Sequence, residues 1–227
     1  MRIGIDMGHS LEGQPGTGAV GILSEVNENR KIGKDLINML KAKGHEVVNC
    51  TTDTASSTNQ QLQGIVSKAN AQPLDLFVSI HLNSGGGNGT ETYVLTGASS
   101  FTRNKATAIN NAVVSSCNFY NRGVKEANFY VLRNTTAPAI LVEICFVDSQ
   151  KDADKLIAHK VAKGLFKGIT GYEYIETQAP DAGPTPNGET FYRVVCGSFK
   201  DKATAEARAA EVKEKTGFDT FLVAFTK

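Results

Sequence analysis

The chain has 227 residues, 41% hydrophobic and 21% charged, a balance that excludes collagen-like, coiled-coil and disordered classes. Its 24 Lys and Arg against 23 Asp and Glu leave a net charge of +1, without the broad basic field of a nucleic-acid binder. No stretch approaches the roughly 18 apolar residues of a membrane span, so neither nucleic acid nor a bilayer is an expected partner.

In chain order, residues 2–6 read as a short apolar strand. A helix is predicted over 23–43, with Ser24 as N-cap, Ile32, Leu36, Met39 and Leu40 at helical spacing, and Gly44 as its stop. There follow a strand at 46–50, a helix at 59–71 with Leu62, Ile65 and Val66 on one face, and an apolar strand at 75–81 of the doubly buried kind. A strand at 90–95, a helix at 102–116, strands at 129–132 and 139–146, and a helix at 149–168 complete the pattern. Strand–helix alternation of this kind predicts an α/β fold, a mostly parallel twisted sheet flanked by helices on both faces.

The pattern then breaks. Pro180, Pro184 and Pro186 are half of the six prolines, and with Gly183 and Gly188 they mark 173–190 as a linker. It separates a domain at 1–172 from a module at 191–227. The module reads as a strand at 191–196, a helix at 201–215, a stop at Gly217 and a strand at 220–225, a small βαβ or half ferredoxin-like unit. Such a unit leaves sheet edges uncovered and is expected to pair with something.

The chemistry-bearing residues are few. Of the four histidines, His9 follows the first strand and His81 ends the apolar strand at 75–81. Ligands of open α/β sheets bind outside the carboxyl ends of strands, so these two are candidates to share one site. His45 is expected to be exposed and His159 to lie on a solvated helix face. Glu143 lies inside the apolar run 139–147, where a charge is costly unless it is paired or reached by water, and burial is how a carboxylate is tuned towards a general base. Glu25 opens the first long helix, where the dipole alone favours an acid. Two histidines and a carboxylate with an open fourth position make a catalytic zinc arrangement, assembled here from distant segments because no HExxH is present. Gly16, Gly18 and Gly21 match GxGxxG, but the run does not follow the first strand directly as a dinucleotide site requires. Those glycines are expected to let a loop wrap His9. Cys50, Cys117, Cys145 and Cys196 form no CxxC and are expected as reduced thiols.

The residues at 1–172 resemble the zinc-dependent N-acetylmuramoyl-L-alanine amidases of the type 3 amidase family. The motifs are Asp6-Met7-Gly8-His9-Ser10, the loop Gly18 to Gly21 followed by Glu25 and Asn27, Ala69-Asn70, and the run from Asp75 through His81 to Asn83. Gly89-Thr90-Glu91-Thr92-Tyr93, Val131-Leu132-Arg133 and the run from Pro138 through Glu143 to Phe146 continue the match. Ser10 and Cys145 stand where the family has glycine. The resemblance implies that His9, Glu25 and His81 bind one zinc ion (Zn2+) and that Glu143 is the catalytic acid and base. It implies peptidoglycan as substrate, cut between the lactyl group of N-acetylmuramic acid and the L-alanine of the stem peptide. Asn83 and Arg133 are candidate substrate-binding residues.

The run from Phe191 to Ala207 is similar to one repeat of a SPOR domain, a peptidoglycan-binding module. One repeat of two implies that copies from two chains complete one sheet as a homodimer. With no basic tip and apolar segment at the start, the expectation is synthesis in the cytoplasm without a signal peptide. Action on the wall then follows release, through a holin as a phage endolysin or by mother-cell lysis as an autolysin. The alternatives left open are a catalytically inactive wall-binding protein and a zinc peptidase acting within the stem peptide.

Overall fold

The computed structural model describes residues 1–176 and 201–216. They fall in two compact units, Met1–Tyr174 and Ile175–Lys227. In the second unit only a helix, Lys202–Thr216, is described, capped by Asp201, whose Oδ1 accepts from the Thr204 amide at 2.8 Å. Most of the expected linker, both expected module strands and the Gly217 stop lie outside the described residues. Among those residues no helix is long and apolar enough to cross a membrane.

The first unit is a six-stranded sheet. Its strands are β1 (Arg2–Met7), β2 (Glu46–Asn49), β3 (Leu76–Asn83), β4 (Thr90–Val94), β5 (Asn121–Glu126) and β6 (Ala139–Phe146), in the order β2-β1-β3-β6-β4-β5. All pairings are parallel except β4 with β6. The helices are α1 (Glu25–Ala42), α2 (Thr58–Asn70), α3 (Ser100–Cys117), α4 (Tyr130–Asn134), α5 (Gln150–Ala153) and α6 (Ala158–Thr170). The long helices start where side chains supply the missing acceptors: Ser57 Oγ takes the Gln60 amide and Ser99 Oγ the Thr102 amide, both at 3.2 Å. Ser24 is the N-cap of α1 in position only, because its hydroxyl donates to Glu12 at 2.7 Å instead.

Period-two alternation divides the core. Ile3 and Ile5 of β1, Leu76, Val78 and Ile80 of β3, and Ile140 and Val142 of β6 pack with Leu36 of α1, Ile109 of α3 and Leu165 of α6. On the other face, Phe77 and Leu141 pack with Ile65 of α2 and with Val131 and Leu132 of α4. The crossovers from β1 to β2 through α1 and from β2 to β3 through α2 therefore lie on opposite faces. Because β2 and β3 flank β1 on opposite sides, this opens a crevice at the carboxyl ends of β1 and β3.

Two sequence expectations are corrected and one strand is added. Residues 129–132, β-prone by composition, are not a strand: Phe129 is the extended N-cap of α4, and its carbonyl accepts from Leu132 and Arg133, both at 3.1 Å. Both sides of β6 are taken by β3 and β4, so that segment has no ladder beside the strand it leads into. Strand β5 went unread because it is an edge strand with a polar sequence, as edges usually are. The helix expected at 149–168 is two. Asp152, 1% exposed, accepts the amides of Phe146 at 2.9 Å and Gly89 at 2.8 Å, so α5 is held to the end of β6 and α6 starts afresh.

Candidate functional site

The alternation that builds the second core also builds the site. On the α2 and α4 face, the apolar residues Phe77 and Leu141 give way towards the carboxyl ends to Ser79 and His81 on β3 and Glu143 on β6. His81 and Glu143 are direct register partners across the β3–β6 ladder. Strand β3 runs two residues past His81, to Asn83, with a register shift between them, so His81 lies inside the strand and not at its end.

His9 reaches the same place from the turn after β1. Its φ is 68°, a left-handed conformation that a non-glycine residue holds only under constraint. Arg30 of α1 supplies the constraint. Its Nη2 donates to the His9 carbonyl at 2.7 Å, and its Nη1 to the carbonyls of Gly8 at 3.1 Å and of Met7. Asp53 Oδ1 accepts from the same guanidinium at 2.8 Å. Gly8 is required there, since a Cβ would lie 2.3 Å from the His81 ring.

Glu25, the first residue of α1 and 3% exposed, sits between the two histidines. Its Oε1 lies 3.0 Å from His9 Nε2, 3.1 Å from His81 Nδ1 and 3.1 Å from the Leu82 amide, and its Oε2 accepts the Ala19 amide at 2.9 Å. The glycine loop wraps His9: the Gly16 carbonyl lies 3.0 Å from His9 Nδ1. A Cβ on Gly18 would come within 2.7 Å of Glu25 Oε2. One ligand atom each from His9, Glu25 and His81 lie within 4.8 Å of one another.

The outer nitrogen of each ring is occupied. His9 Nδ1 faces a carbonyl, which requires N–H there. His81 Nε2 is 3.1 Å from Ser79 Oγ, and Ser79 donates at 2.6 Å to Asp6 Oδ2. That chain fixes one proton of His81 on Nε2, and in the protonated imidazole Nδ1 donates to Glu25 as well. The inner nitrogens are thus directed at Glu25, an arrangement of outer partners that orients imidazole ligands around a cation. Asp6 and Ser79 were not singled out from the sequence. Their signal was two polar residues on one face of otherwise apolar strands.

The electrostatics follow from the packing. Burial raises the Glu25 carboxyl, but hydrogen bonds from His81 and His9 outweigh it and hold the group well below the usual carboxylate range. Burial lowers the His81 imidazole, yet the hydrogen bond to Glu25 and the charges of Glu143 and Asp6 carry it up to about 9. Glu143 is pushed up to about 7, chiefly by burial, and its Oε2 is enclosed without a hydrogen-bond partner. These residues open on a cavity of about 340 Å3 whose lining includes His9, His81 and Glu143 with Leu62, Phe129, Tyr130 and Leu141. Two further expected site residues, Asn83 and Arg133, have partners within the protein. Asn83 donates its amide to Glu91 Oε1 at 2.7 Å. Arg133, exposed on α4, donates to the Asn128 carbonyl at 3.1 Å with its guanidinium 5.3 Å from the Tyr130 ring centre. His45 is half-buried, and His159 is exposed, 3.1 Å from Asp35 Oδ2.

The family model described as N-acetylmuramoyl-L-alanine amidase matches residues 3–171 of the chain. A SPOR-domain model matches residues 144–224, overlapping the first. The chain is 34% identical over 226 residues to the sporulation-specific N-acetylmuramoyl-L-alanine amidase of Bacillus subtilis (strain 168), covering 98% of this chain and 84% of that protein. It is 34% identical over 195 residues to the endolysin of Bacillus phage SPP1, covering 82% of this chain and 70% of that protein. Among solved structures, the catalytic domain of CwlV, N-acetylmuramoyl-L-alanine amidase from Bacillus (Paenibacillus) polymyxa var. colistinus, is similar with a TM-score of 0.65 at 31% identity, covering 75% of this chain and 97% of that one. With a family model matched over the whole sheet and its helices, the chain belongs to the N-acetylmuramoyl-L-alanine amidase family and is a hydrolase of bacterial peptidoglycan.

Proposed function

We propose that His9, Glu25 and His81 hold a zinc ion and that Glu143 is the acid and base that cleaves the amide between the muramic lactyl group and L-alanine. The observation that carries this reading is the convergence of three donor atoms within 4.8 Å, beside a carboxylate in direct register with one of them. Two imidazoles and one carboxylate are a donor set suited to zinc, and the occupied outer nitrogens leave the inner ones to it. When bound, zinc supplies Lewis acidity, lowering the pKa of water and polarising a carbonyl. Glu143 takes the proton of the attacking water and returns it to the departing alanine amine. Its lone Oε2 leaves an acceptor free for that proton. His81 and His9 keep their rings in place through Ser79 and the Gly16 carbonyl.

Digestion of purified Gram-positive sacculi tests this. The expected products are new N-terminal alanine without new reducing sugars, lost with a chelator and restored by zinc. New amino ends other than alanine would move the reading to a peptidase acting within the stem. Bound sacculi with no release at all would leave a wall-binding protein.

We place the linker at 173–190 and a SPOR-like wall-binding module at 191–227. The clustered prolines and the division of the compact units after Tyr174 support this. One repeat pairs with its copy from a second chain, and light scattering over micromolar concentrations is expected to give twice the chain mass; a monomer mass throughout would refute the pairing. The similarity to an endolysin supports action on the wall after release from the cell that makes the protein.

A further inference from the structure

A second charged cluster adjoins Glu143. Glu91 is the register partner of Glu143 on its other side, across the antiparallel β4–β6 ladder, so His81, Glu143 and Glu91 form one row on one face. Glu91 is 3% exposed and takes four donors. Asn83 Nδ2 at 2.7 Å and Tyr93 Oη at 2.8 Å reach Oε1, while Arg122 Nε at 2.6 Å and Lys125 Nζ reach Oε2. Burial would raise this carboxyl, but Arg122, Lys125 and Tyr93 hold it down at about 2, so it is charged at any working pH.

One negative charge here meets two positive ones, and the surplus is presented outward. The Arg122 and Lys125 side chains are 30% and 40% exposed. No described residue accepts from the two terminal nitrogens of Arg122, and Lys125 keeps N–H donors beyond the one that Glu91 takes. The placement of Arg122 is built. Asn121 pairs with Thr90 and Gly123 with Glu91, so Arg122 is the extra residue of a bulge, with Gly123 at φ 79°. The guanidinium lies 5.0 Å from the Phe146 ring centre. Lys125 lies 6.0 Å from the Tyr93 ring centre, and Tyr93 stacks edge-on at 5.1 Å with Phe129, which lines the cavity.

The two sides of the scissile amide differ in charge. The acyl side is an uncharged acetylated sugar, whereas the amine side is a peptide with free carboxylates. Strands lie about 4.8 Å apart and an extended peptide advances about 3.5 Å per residue, so a cationic site one or two strands beyond Glu143 is in reach of the first few stem residues. Resting on the amidase reading above, we infer that Arg122 and Lys125, held by the buried Glu91, bind a stem-peptide carboxylate and select acidic stems over amidated ones. A guanidinium with a free fork is the group suited to a carboxylate.

The test compares two soluble substrates, N-acetylmuramoyl-L-alanyl-D-glutamyl-L-lysine and the same molecule with both carboxyls as amides. The zinc-loaded full chain is expected to favour the free acid by about tenfold in kcat/KM, mostly through KM, the loss of one charge-assisted hydrogen bond. In Arg122→Gln that ratio is expected to fall towards one, and Arg122→Lys is expected to restore part of it. If Arg122→Gln does not fold, Lys125→Gln, altered at the more exposed side chain, carries the same comparison. A ratio near one in the parent, or a preference that survives both substitutions, overturns the inference and leaves the cluster as a brace for β5. A parent enzyme that cleaves neither substrate overturns the amidase reading itself, and this inference with it.

Discussion

Glu143→Gln is expected to lower amide cleavage by about two to four orders of magnitude, the usual worth of a general base, while zinc content stays unchanged. The substitution keeps the size of the side chain and removes only its capacity to take a proton. Unchanged activity would place the base elsewhere. The same variant carries a second, opposite expectation in the metal-free protein. Burial raises the Glu143 carboxyl to about 7, so the folded state holds a proton that the unfolded chain has already lost. The stability tied to that proton is complete below the unfolded carboxylate value of about 4.3 and is lost as pH rises through about 7. Metal-free Glu143→Gln is therefore expected to match the parent near pH 4 and exceed it near pH 8. The gain is about 2 kcal/mol, discounting the full linkage value for the part of the carboxylate that water reaches. Urea melts at the two pH values check this, and equal differences at both would refute it. A site that is more stable without its base has given up stability for chemistry.

Arg30→Met is expected to cost about 3 kcal/mol of stability and to weaken zinc binding by about ten- to a hundredfold. Arg30 is 8% exposed and is the donor to three successive carbonyls, those of Met7, Gly8 and His9. Methionine fills the space but donates to none of those carbonyls. His9 then loses the clamp that holds its left-handed backbone, and with it the aim of its ring. Asp53→Asn is the control. That carboxylate is 56% exposed, and its loss is expected to change stability by no more than about 0.5 kcal/mol. Chemical melts and zinc competition with a chromophoric chelator read both effects. A loss below about 1 kcal/mol in Arg30→Met, or zinc binding equal to the parent's, would show that the turn after β1 holds itself.

Much of the site was legible in the chain because its members are anomalies of pattern. Glu143 is a charge within an apolar run, and His9 and His81 follow or interrupt apolar strands. Glu25 was less distinct, since a first-turn acid is common on any helix, and the motif resemblance selected it. The supporting residues were harder to see. Arg30 looks like a solvated charge on a long helix, and only the turn of α1 over the end of β1 buries it. Glu91, Arg122 and Lys125 come from two strands, one of them an edge strand with a polar sequence. Nothing in either segment alone says that the carboxylate is enclosed or that a bulge turns Arg122 onto it.

The sequence by itself determined the alternation of strands and helices, the two-faced burial of β3, and the four residues proposed to carry the chemistry. Those features depend on periodicity and on local cost, which neighbours along the chain already specify. The tertiary structure decided which apolar segments became strands. Residues 129–132 have strand composition but form the cap and first turn of α4, whose Val131 and Leu132 pack on Phe77 and Leu141. It also decided the row His81, Glu143 and Glu91, since register between strands some 50 to 60 residues apart is set by core packing and not by any local signal. That packing encloses Glu143 and Glu91 while it leaves Arg122 and Lys125 within reach of water.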